Sequence, residues 1–328
     1  SDTTKLKNSF VNVTQTYDAY VNAYGPYYWE KMGYVLTTQG AMEHATSIHY
    51  PRSLVNGTLS GEDIMAHEMA HHWWGNLVTC ETAEDMWINE GMTEFSSHLY
   101  EETVYSKEKY LETVRDNAAL VIQYASVYDN GHFALHGVDH ERTYGTHTYQ
   151  KGAMIGHNLR GYLGDSLFFS GVQQLLSQNK YGNLNADQFR DQLTSITGFN
   201  LNSFFDDWIF QPGYTQLGID SMHVFISSLP EKTVTIGVSQ RQRAANHAFT
   251  NIPFTITYFH ESGMHETRSF VYTNQDAAFT TQVPFVPKYA VINYKDEVLL
   301  GTTSNEIEIT QTGLLDLKRA QIKVDVVN

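Results

Sequence analysis

The segment HEMAHHWWGN at residues 67–76 constrains the fold more than any other part of the sequence, because it places His67 and His71 four residues apart. On an α-helix, positions i and i+4 lie on the same face, so both imidazoles can reach one metal ion. Glu68 falls beside that face, where it can act as a base without binding the metal. The spacing therefore predicts a helix that carries two metal ligands and a carboxylate.

A third metal ligand is predicted further along the chain. A catalytic zinc site usually has three protein ligands and one position open for water. The segment WINEGMTEF supplies Glu90, and the eighteen residues between it and His71 suffice for a turn and a second helix that runs back past the first. The sequence thus predicts one Zn2+ per chain, bound by His67, His71 and Glu90.

Composition and charge exclude some classes of partner. The 328 residues are 41% hydrophobic, which is enough for a large core and more than one domain. The net charge is −15, and nucleic-acid binding needs clustered Lys and Arg instead, so no nucleic-acid partner is predicted. The longest apolar run, 118–122, is far shorter than the ~20 residues of a membrane span, so none is predicted. The single cysteine leaves oxidising and reducing compartments open, and a secreted or periplasmic location is favoured over a cytoplasmic one.

Hydrophobic periodicity predicts an α+β protein with a helical part followed by a β-rich part. Residues 5–24 predict one amphipathic helix, 33–38 predict a strand, and Ser60 with Asp63 predicts a capping box that opens the helix of His67. Further helices are predicted at 84–102, 106–126, 148–163, 165–179, 186–196 and 201–209. From about residue 219, short β-type runs separated by turns predict an all-β sandwich, with the domain boundary at 216/217.

Four segments, in this order along the chain, resemble the aminopeptidase N family of zinc metallopeptidases, which are gluzincins with a thermolysin-like catalytic domain. The segments are GAMEH at 40–44, HEMAHHWWGN at 67–76, WINEGMTEF at 87–95 and YGTHTYQKGA at 144–153. The resemblance covers roughly residues 8–218. It implies a thermolysin-like, mostly helical catalytic domain at 1–216, followed by a β-sandwich domain at 217–328.

The resemblance also implies an activity, namely zinc-dependent hydrolysis of the N-terminal peptide bond of peptides that have a free amino terminus. In this reaction zinc activates a water molecule and polarises the scissile carbonyl, and Glu68 serves as the general base. Tyr149, which directly precedes QKG, is identified by the resemblance as the hydroxyl donor to the oxyanion. Tyr144 is the neighbouring candidate for that role.

Substrate binding is assigned, again by resemblance, to Gly40, Ala41, Met42, Glu43 and His44. Glu43 would bind the α-ammonium group of the substrate, since a charge-assisted hydrogen bond is about twice as strong as a neutral one. His44 stands where the family usually has Asn, and a protonated ring would repel the ammonium group. The alternative enzyme is therefore a gluzincin endopeptidase, or another zinc hydrolase with a relaxed requirement for the amino terminus.

Three expectations extend beyond these ligands. The family places a β-rich domain before the catalytic one, so an N-terminal β-rich domain of the same protein is a candidate partner. A function of another class is an inactive binding or scaffold module, although every expected catalytic position holds a competent residue. Glu94 and Asp63 each lie one helical turn from a ligand and are candidates to hydrogen-bond the ligands.

Overall fold

A computed structural model describes residues 2–225, 230–273 and 278–298 of the chain. The chain divides into two compact units, one made of residues 1–117 and 135–201 and the other of residues 118–134 and 202–328. The described residues of the first unit are mostly helical, and those of the second are mostly β-strand. The predicted combination of a helical part and a β-rich part is therefore present. The boundary at 216/217 falls inside a strand and stays a prediction.

The helices and strands of the described residues lie close to the predicted positions, and the structure also contains some short strands that were not predicted. The helices are α1 (Asp2–Ser9), α2 (Val13–Tyr24), α3 (Glu62–Ala70), α4 (Glu90–Val104), α5 (Lys107–Leu120), α6 (Ser126–Tyr128), α7 (Gly152–Gln178), α8 (Ala186–Thr197) and α9 (Asn202–Trp208). The strands are β1 (Tyr34–Thr37), β2 (Ile48–Pro51), β3 (Val78–Cys80), β4 (Gly182–Leu184), β5 (Tyr214–Phe225), β6 (Lys232–Arg243), β7 (Ile252–Phe259), β8 (His265–Tyr272), β9 (Ala278–Val283) and β10 (Tyr289–Ile292). Strands β2, β3, β4 and β9 were not predicted from the sequence, and all of them except β9 have only three or four residues.

The predicted single helix over residues 5–24 is wrong, because the chain breaks between α1 and α2. At the break, Asn12 donates a hydrogen bond from Nδ2 to Glu62 Oε1 of α3 at 2.6 Å. Phe10 packs edge-to-face on Tyr34 and Tyr50, with ring centroids 4.9 and 5.0 Å apart. Periodicity along one segment cannot show such contacts, which depend on residues distant in sequence.

The predicted capping box at Ser60 is also wrong. Helix α3 begins at Glu62, and the residue before it, Gly61, has no side chain to cap the helix. Ser60 Oγ instead accepts a hydrogen bond from Asn56 Nδ2 at 2.8 Å within the preceding loop. The helix that carries the histidines is present nonetheless, since its stability comes mainly from tertiary packing.

The predicted helices at 148–163 and 165–179 are present as the two halves of α7, which are separated by a kink at Gly164. A π-helical turn at His147–Lys151 leads directly into α7, and Gly164 bends α7 with a φ of 73°. Only glycine adopts such a φ at little cost, so the bend lies where the sequence permits it. The π-helical turn contains Tyr149.

The core of the first unit joins α2, α3 and α4. The hydroxyl of the fully buried Tyr20 lies 3.0 Å from the Ala66 carbonyl of α3 and 2.9 Å from the Ser96 carbonyl of α4. Tyr24 and Trp73 pack against this tyrosine with ring centroids about 6 Å away. These contacts fix α3 relative to α4, and the predicted metal ligands lie on those two helices.

Helices α4 and α7 approach each other backbone to backbone at two glycines. A Cβ built on Gly152 would lie 2.6 Å from Gly91 Cα, and a Cβ on Gly91 would lie 2.7 Å from Gly152 Cα. Neither position can therefore hold a larger residue without moving a helix. Gly91 follows Glu90 and Gly152 closely follows Tyr149, so this contact brings two predicted site residues together.

We expect the Gly152→Val substitution to destabilise the protein and lower its turnover. Forcing a side chain into a close-packed contact costs about 1–3 kcal/mol, and a melting temperature several degrees lower should result. The control is Gly40→Val, because a Cβ on Gly40 has no neighbour within 4 Å. Differential scanning calorimetry on both variants tests this, and an unchanged melting temperature for Gly152→Val would contradict the close helix contact.

The second unit contains two antiparallel three-stranded sheets among its described residues, with strand orders β5-β6-β9 and β10-β7-β8. Their buried faces meet where Phe254 of β7 packs edge-to-face on Phe279 of β9, with ring centroids 5.1 Å apart. The β-sandwich predicted for 217–328 falls partly on 226–229, 274–277 and 299–328, which lie outside the described residues. The complete sandwich therefore stays a prediction.

Across the part of the chain that the structure describes, none of the helices combines the length and the hydropathy that crossing a lipid bilayer requires. The long α7 contains charged and glycine positions that interrupt its apolar surface.

Candidate metal and active site

Three predicted ligand atoms form a small triangle between α3 and α4. The Nε2 atoms of His67 and His71 are 3.1 Å apart. Oε2 of Glu90, the first residue of α4, lies 3.4 Å from the former nitrogen and 3.2 Å from the latter. Ligand atoms about 2.0–2.1 Å from a tetrahedral zinc ion are separated from one another by about 3.3 Å. The triangle therefore has the dimensions of three corners of such a site.

The outer nitrogens of both histidines have hydrogen-bond acceptors, and these set the ring orientation. His67 donates from Nδ1 to Glu94 Oε2 at 2.9 Å, and His71 donates from Nδ1 to the Trp74 carbonyl at 2.8 Å. Each Nε2 then carries a lone pair that points toward the other ring and toward the Glu90 carboxylate. Three electron-rich atoms at this spacing repel one another unless a cation lies between them, so the residues present fit a divalent metal.

The electrostatics of the triangle also favour positive charge. Burial alone lowers the pKa of His67, but the hydrogen bonds with Glu90 and Glu94 outweigh it and raise that pKa well above its usual range. Burial raises the pKa of Glu90, but its hydrogen bonds with His67 and His71 outweigh this and hold the pKa low. A carboxylate that stays ionised beside two imidazoles is suited to bind a cation.

Glu68 lies next to the triangle without belonging to it. Its side chain is buried, and among the described residues Oε2 has no hydrogen-bond partner. Burial raises the pKa of this carboxyl to about 7, against the opposing effect of the neighbouring His71 and His67. A nearby divalent cation would lower this pKa, so the carboxylate form would then be present at neutral pH.

The GAMEH segment brings its single carboxylate to the same place. Atoms of Glu43, Glu68 and His71 lie within 4.8 Å of one another. The segment is held by an antiparallel bridge in which Met42 N–H donates to the His49 carbonyl at 3.1 Å and His49 N–H donates to the Met42 carbonyl at 2.9 Å. Glu43 is thus the part of the segment that reaches the triangle.

The other members of the GAMEH segment lie beside Glu43 in less buried positions. Gly40 and His44 are exposed, Ala41 is half-buried, and Met42 is 46% exposed. The His44 ring packs edge-to-face on the His49 ring, with centroids 4.4 Å apart. Their roles in substrate binding stay predictions.

Tyr149, which is distant in sequence from the metal-ligand candidates, also lies against the triangle. Its ring stacks on that of His67 with centroids 6.0 Å apart, and its hydroxyl lies close enough to Glu90 for that carboxylate to raise the pKa of the hydroxyl. Burial and the negative charge of Glu90 raise the pKa of this hydroxyl, which therefore stays protonated and able to donate. Tyr144, the alternative, is 68% exposed.

A π-helical turn holds Tyr149 in this position. Such turns are rare and often occur at functional sites. Asn117 of α5 stabilises this turn by donating from Nδ2 to the Gln150 carbonyl at 2.8 Å. The Gln150 side chain is also among the groups that lower the pKa of the Glu94 carboxyl, so the turn lies near the partner of His67.

Of the two carboxylates predicted to support the ligands, only Glu94 contacts one. It accepts from His67, whereas Asp63 is exposed on α3. Two further residues support the site without having been predicted. Thr93 donates from Oγ1 to the Trp74 carbonyl at 3.1 Å beside His71. The side chain of Asn89 accepts a 2.8 Å hydrogen bond from Cys80 N–H and so connects β3 to the start of α4. Their position beside Glu90 in sequence was the available signal.

The helical unit thus places three candidate metal ligands beside the carboxylates of Glu68 and Glu43. The chain belongs to peptidase family M1, since the model of the peptidase family M1 domain matches residues 8–208. This confirms the resemblance inferred from the four segments. All the predicted site residues lie within the matched range.

Similar proteins carry aminopeptidase names. Leucyl aminopeptidase of Saccharolobus solfataricus is 23% identical over 70% of this chain and 32% of its own length. Aminopeptidase N of Lactococcus lactis subsp. cremoris is 27% identical over 54% of this chain and 23% of its own length. The chain thus spans a third or less of the curated relatives it matches.

A solved structure has a similar fold. It is the crystal structure of Legionella pneumophila aminopeptidase A in complex with aspartic acid, with a TM-score of 0.69 and 15% sequence identity. The match covers 92% of this chain and 35% of that chain. This likeness shows the fold.

Proposed function

We propose that this chain carries the active site of a zinc-dependent aminopeptidase that removes the N-terminal residue of peptides. The observation that supports this most is the carboxylate of Glu43, which lies within 4.8 Å of Glu68 and His71, next to the ligand triangle. We further propose a thermolysin-like catalytic domain at 1–216 and a β-sandwich domain at 217–328. The names of its relatives and its family agree with an aminopeptidase.

The proposed metal is one Zn2+ held by His67, His71 and Glu90. When bound there, zinc would lower the pKa of a water ligand and polarise the scissile carbonyl. Support comes from the spacing of the three ligand atoms and from Nδ1 hydrogen bonds that direct both Nε2 lone pairs inward.

Glu68 and Tyr149 are the proposed catalytic residues. Glu68 accepts a proton from the attacking water and then gives it to the leaving amine. Tyr149 donates its hydroxyl hydrogen to the oxyanion that forms from the scissile carbonyl. The raised pKa of the tyrosine suits a donor, because its proton is retained at neutral pH.

Glu43 is the proposed ligand of the substrate amino group. The amino nitrogen of an N-terminal residue is only about 2.5 Å from its own carbonyl carbon, by standard bond lengths. An aminopeptidase must therefore hold its amine anchor within a few ångströms of the hydrolytic groups, and Glu43 meets that requirement. An internal peptide bond would instead present a carbonyl to this region, which a carboxylate repels.

We expect the enzyme to prefer a free amino terminus by about 10- to 100-fold over the N-acetylated substrate, since hydrogen bonds to charged groups contribute about 1.5–3 kcal/mol. In Glu43→Ala this preference should disappear, with little change for the acetylated substrate. The measurement is kcat/KM for an aminoacyl fluorogenic amide and its N-acetyl form. The control variant is Glu30→Ala, which removes an exposed carboxylate elsewhere in the same unit.

Equal cleavage of free and acetylated substrates by the unaltered protein would favour the endopeptidase alternative. Elemental analysis should find one zinc per chain in the same preparation. Zinc without any turnover on either substrate would favour the binding or scaffold module.

A further inference from the structure

We propose that Asn76 is a positioning residue that fixes Glu43 at a set distance from the metal ligands. It thereby sets the distance from the metal ligands at which the amino group of a substrate is held. This inference rests on the proposed function, because it assumes that Glu43 binds the amine. Asn76 lies in the turn after α3 and has no place among the predicted site residues.

The backbone of Asn76 is tied to a metal ligand. Its N–H donates to the His71 carbonyl at 2.9 Å. The turn closes where Gly75 N–H donates to the Val78 carbonyl at 2.7 Å, and Gly75 has a φ of 122°, which favours glycine. The position of Asn76 relative to His71 is therefore set by the tight turn.

The side chain of Asn76 connects this turn to the amine-binding segment. Its Nδ2 donates to the Glu43 carbonyl at 2.7 Å, across 33 residues of sequence. One short polar path thus runs from the His71 carbonyl, through Asn76, to the backbone of Glu43. The path joins the two groups whose separation an aminopeptidase must control.

Glu43 needs such an anchor because its own side chain is left for the substrate. Among the residues that the structure describes, no side chain or backbone group forms a hydrogen bond with the Glu43 carboxylate. The flanking Gly40 and His44 are exposed, so the segment gains little from packing. Its backbone hydrogen bonds, those of Met42 with His49 and that of Asn76 with Glu43, therefore define where the carboxylate lies.

A small displacement of an anchor has a large effect, since a misplacement of about 1 Å can lower the rate about 100-fold. Loss of the Asn76 amide should therefore weaken the binding of only those ligands whose amino group contacts Glu43. If Asn76 instead supported His71 in general, its loss would weaken the binding of every ligand that coordinates the metal. The two cases differ in a measurable way.

The test compares two zinc-binding ligands, an amino-acid hydroxamate and the same hydroxamate without its amino group. Dissociation constants are measured by calorimetry on the zinc-loaded protein. In Asn76→Ala we expect the amino hydroxamate to bind about tenfold more weakly, the loss expected for about one hydrogen bond to the anchor, and the desamino hydroxamate to bind unchanged. Asn183→Ala, on an exposed asparagine of β4, should change neither constant.

A double-mutant cycle with Glu43→Ala identifies the residue through which Asn76 acts. Once Glu43 is truncated, adding Asn76→Ala should have no further effect on the ratio of the two constants. Asn76→Asp keeps the size of the side chain but replaces the donor by an acceptor, so it should reproduce the loss if Asn76→Ala does not fold.

Three results would contradict either the role of Asn76 or the role of Glu43, and each result identifies which role is wrong. Equal weakening of both hydroxamates in the Asn76 variants would mean that Asn76 supports the metal site rather than Glu43. Unchanged dissociation constants for both hydroxamates in the Asn76 variants, together with loss of the difference between them in Glu43→Ala, would refute the role of Asn76 alone. An unchanged ratio in Glu43→Ala would refute the proposed amine anchor itself.

Discussion

The Glu68→Gln variant is expected to lose about 10²–10⁴-fold in kcat while it keeps its zinc, because a general base contributes about that factor. The amide has the shape of the carboxylate but cannot take a proton from water. Glu68 is separate from the His67–His71–Glu90 triangle, so the ligands remain in place. Steady-state kinetics on an aminoacyl amide and elemental analysis on the same sample provide the two readouts.

The control for this variant is Glu30→Gln, which makes the same chemical change at an exposed carboxylate of the first unit. It should leave kcat and zinc content unaltered. A Glu68→Gln protein that turns over normally would refute the general-base assignment, and one that has lost its zinc would show that this residue supports the metal.

The Glu90→Ala variant is expected to show the second large effect, a loss of zinc affinity well beyond that of Glu94→Ala. Glu90 contributes one of three atoms to the triangle, whereas Glu94 only accepts the His67 Nδ1 hydrogen bond. Loss of a hydrogen-bond partner to a ligand typically costs about 10- to 100-fold in metal affinity. Removing a ligand itself should exceed that range.

Competition with a chelating dye measures the zinc affinity of both variants and of the unaltered protein. Glu112→Ala, at an exposed position of α5, is the matched control and should bind zinc normally. If Glu90→Ala and Glu94→Ala lost affinity to the same extent, Glu90 would not be a ligand. Turnover should fall in parallel with zinc occupancy in both variants.

Local sequence patterns predicted the elements of the site well and its long-range contacts poorly. The i, i+4 spacing of His67 and His71 requires only one helix, so the pattern alone placed both rings on one face. Glu94 and Asp63 both lie one turn from a ligand, and nothing local distinguished them. Glu94 contacts His67, and Asp63 is exposed, because α4 and not the start of α3 faces the ring.

The choice between two tyrosines shows the same division. Only the family motif favours Tyr149 over Tyr144 as the hydroxyl donor, because residue type and spacing are compatible with either tyrosine. In the structure the π-helical turn brings Tyr149 onto His67, whereas Tyr144 is mostly exposed. The break between α1 and α2 was likewise invisible, because it depends on a hydrogen bond between Asn12 and Glu62.

The sequence by itself determined the residue types of the candidate site, their helical spacing, the membership in peptidase family M1 and the change from helical to β-rich patterning. These properties are local or are carried by short motifs, so a linear chain contains them. Only the tertiary structure decided that Gly91 and Gly152 touch, that Glu90 closes the triangle and that Asn76 reaches Glu43. Those contacts join residues far apart in sequence, and their distances depend on how the helices pack.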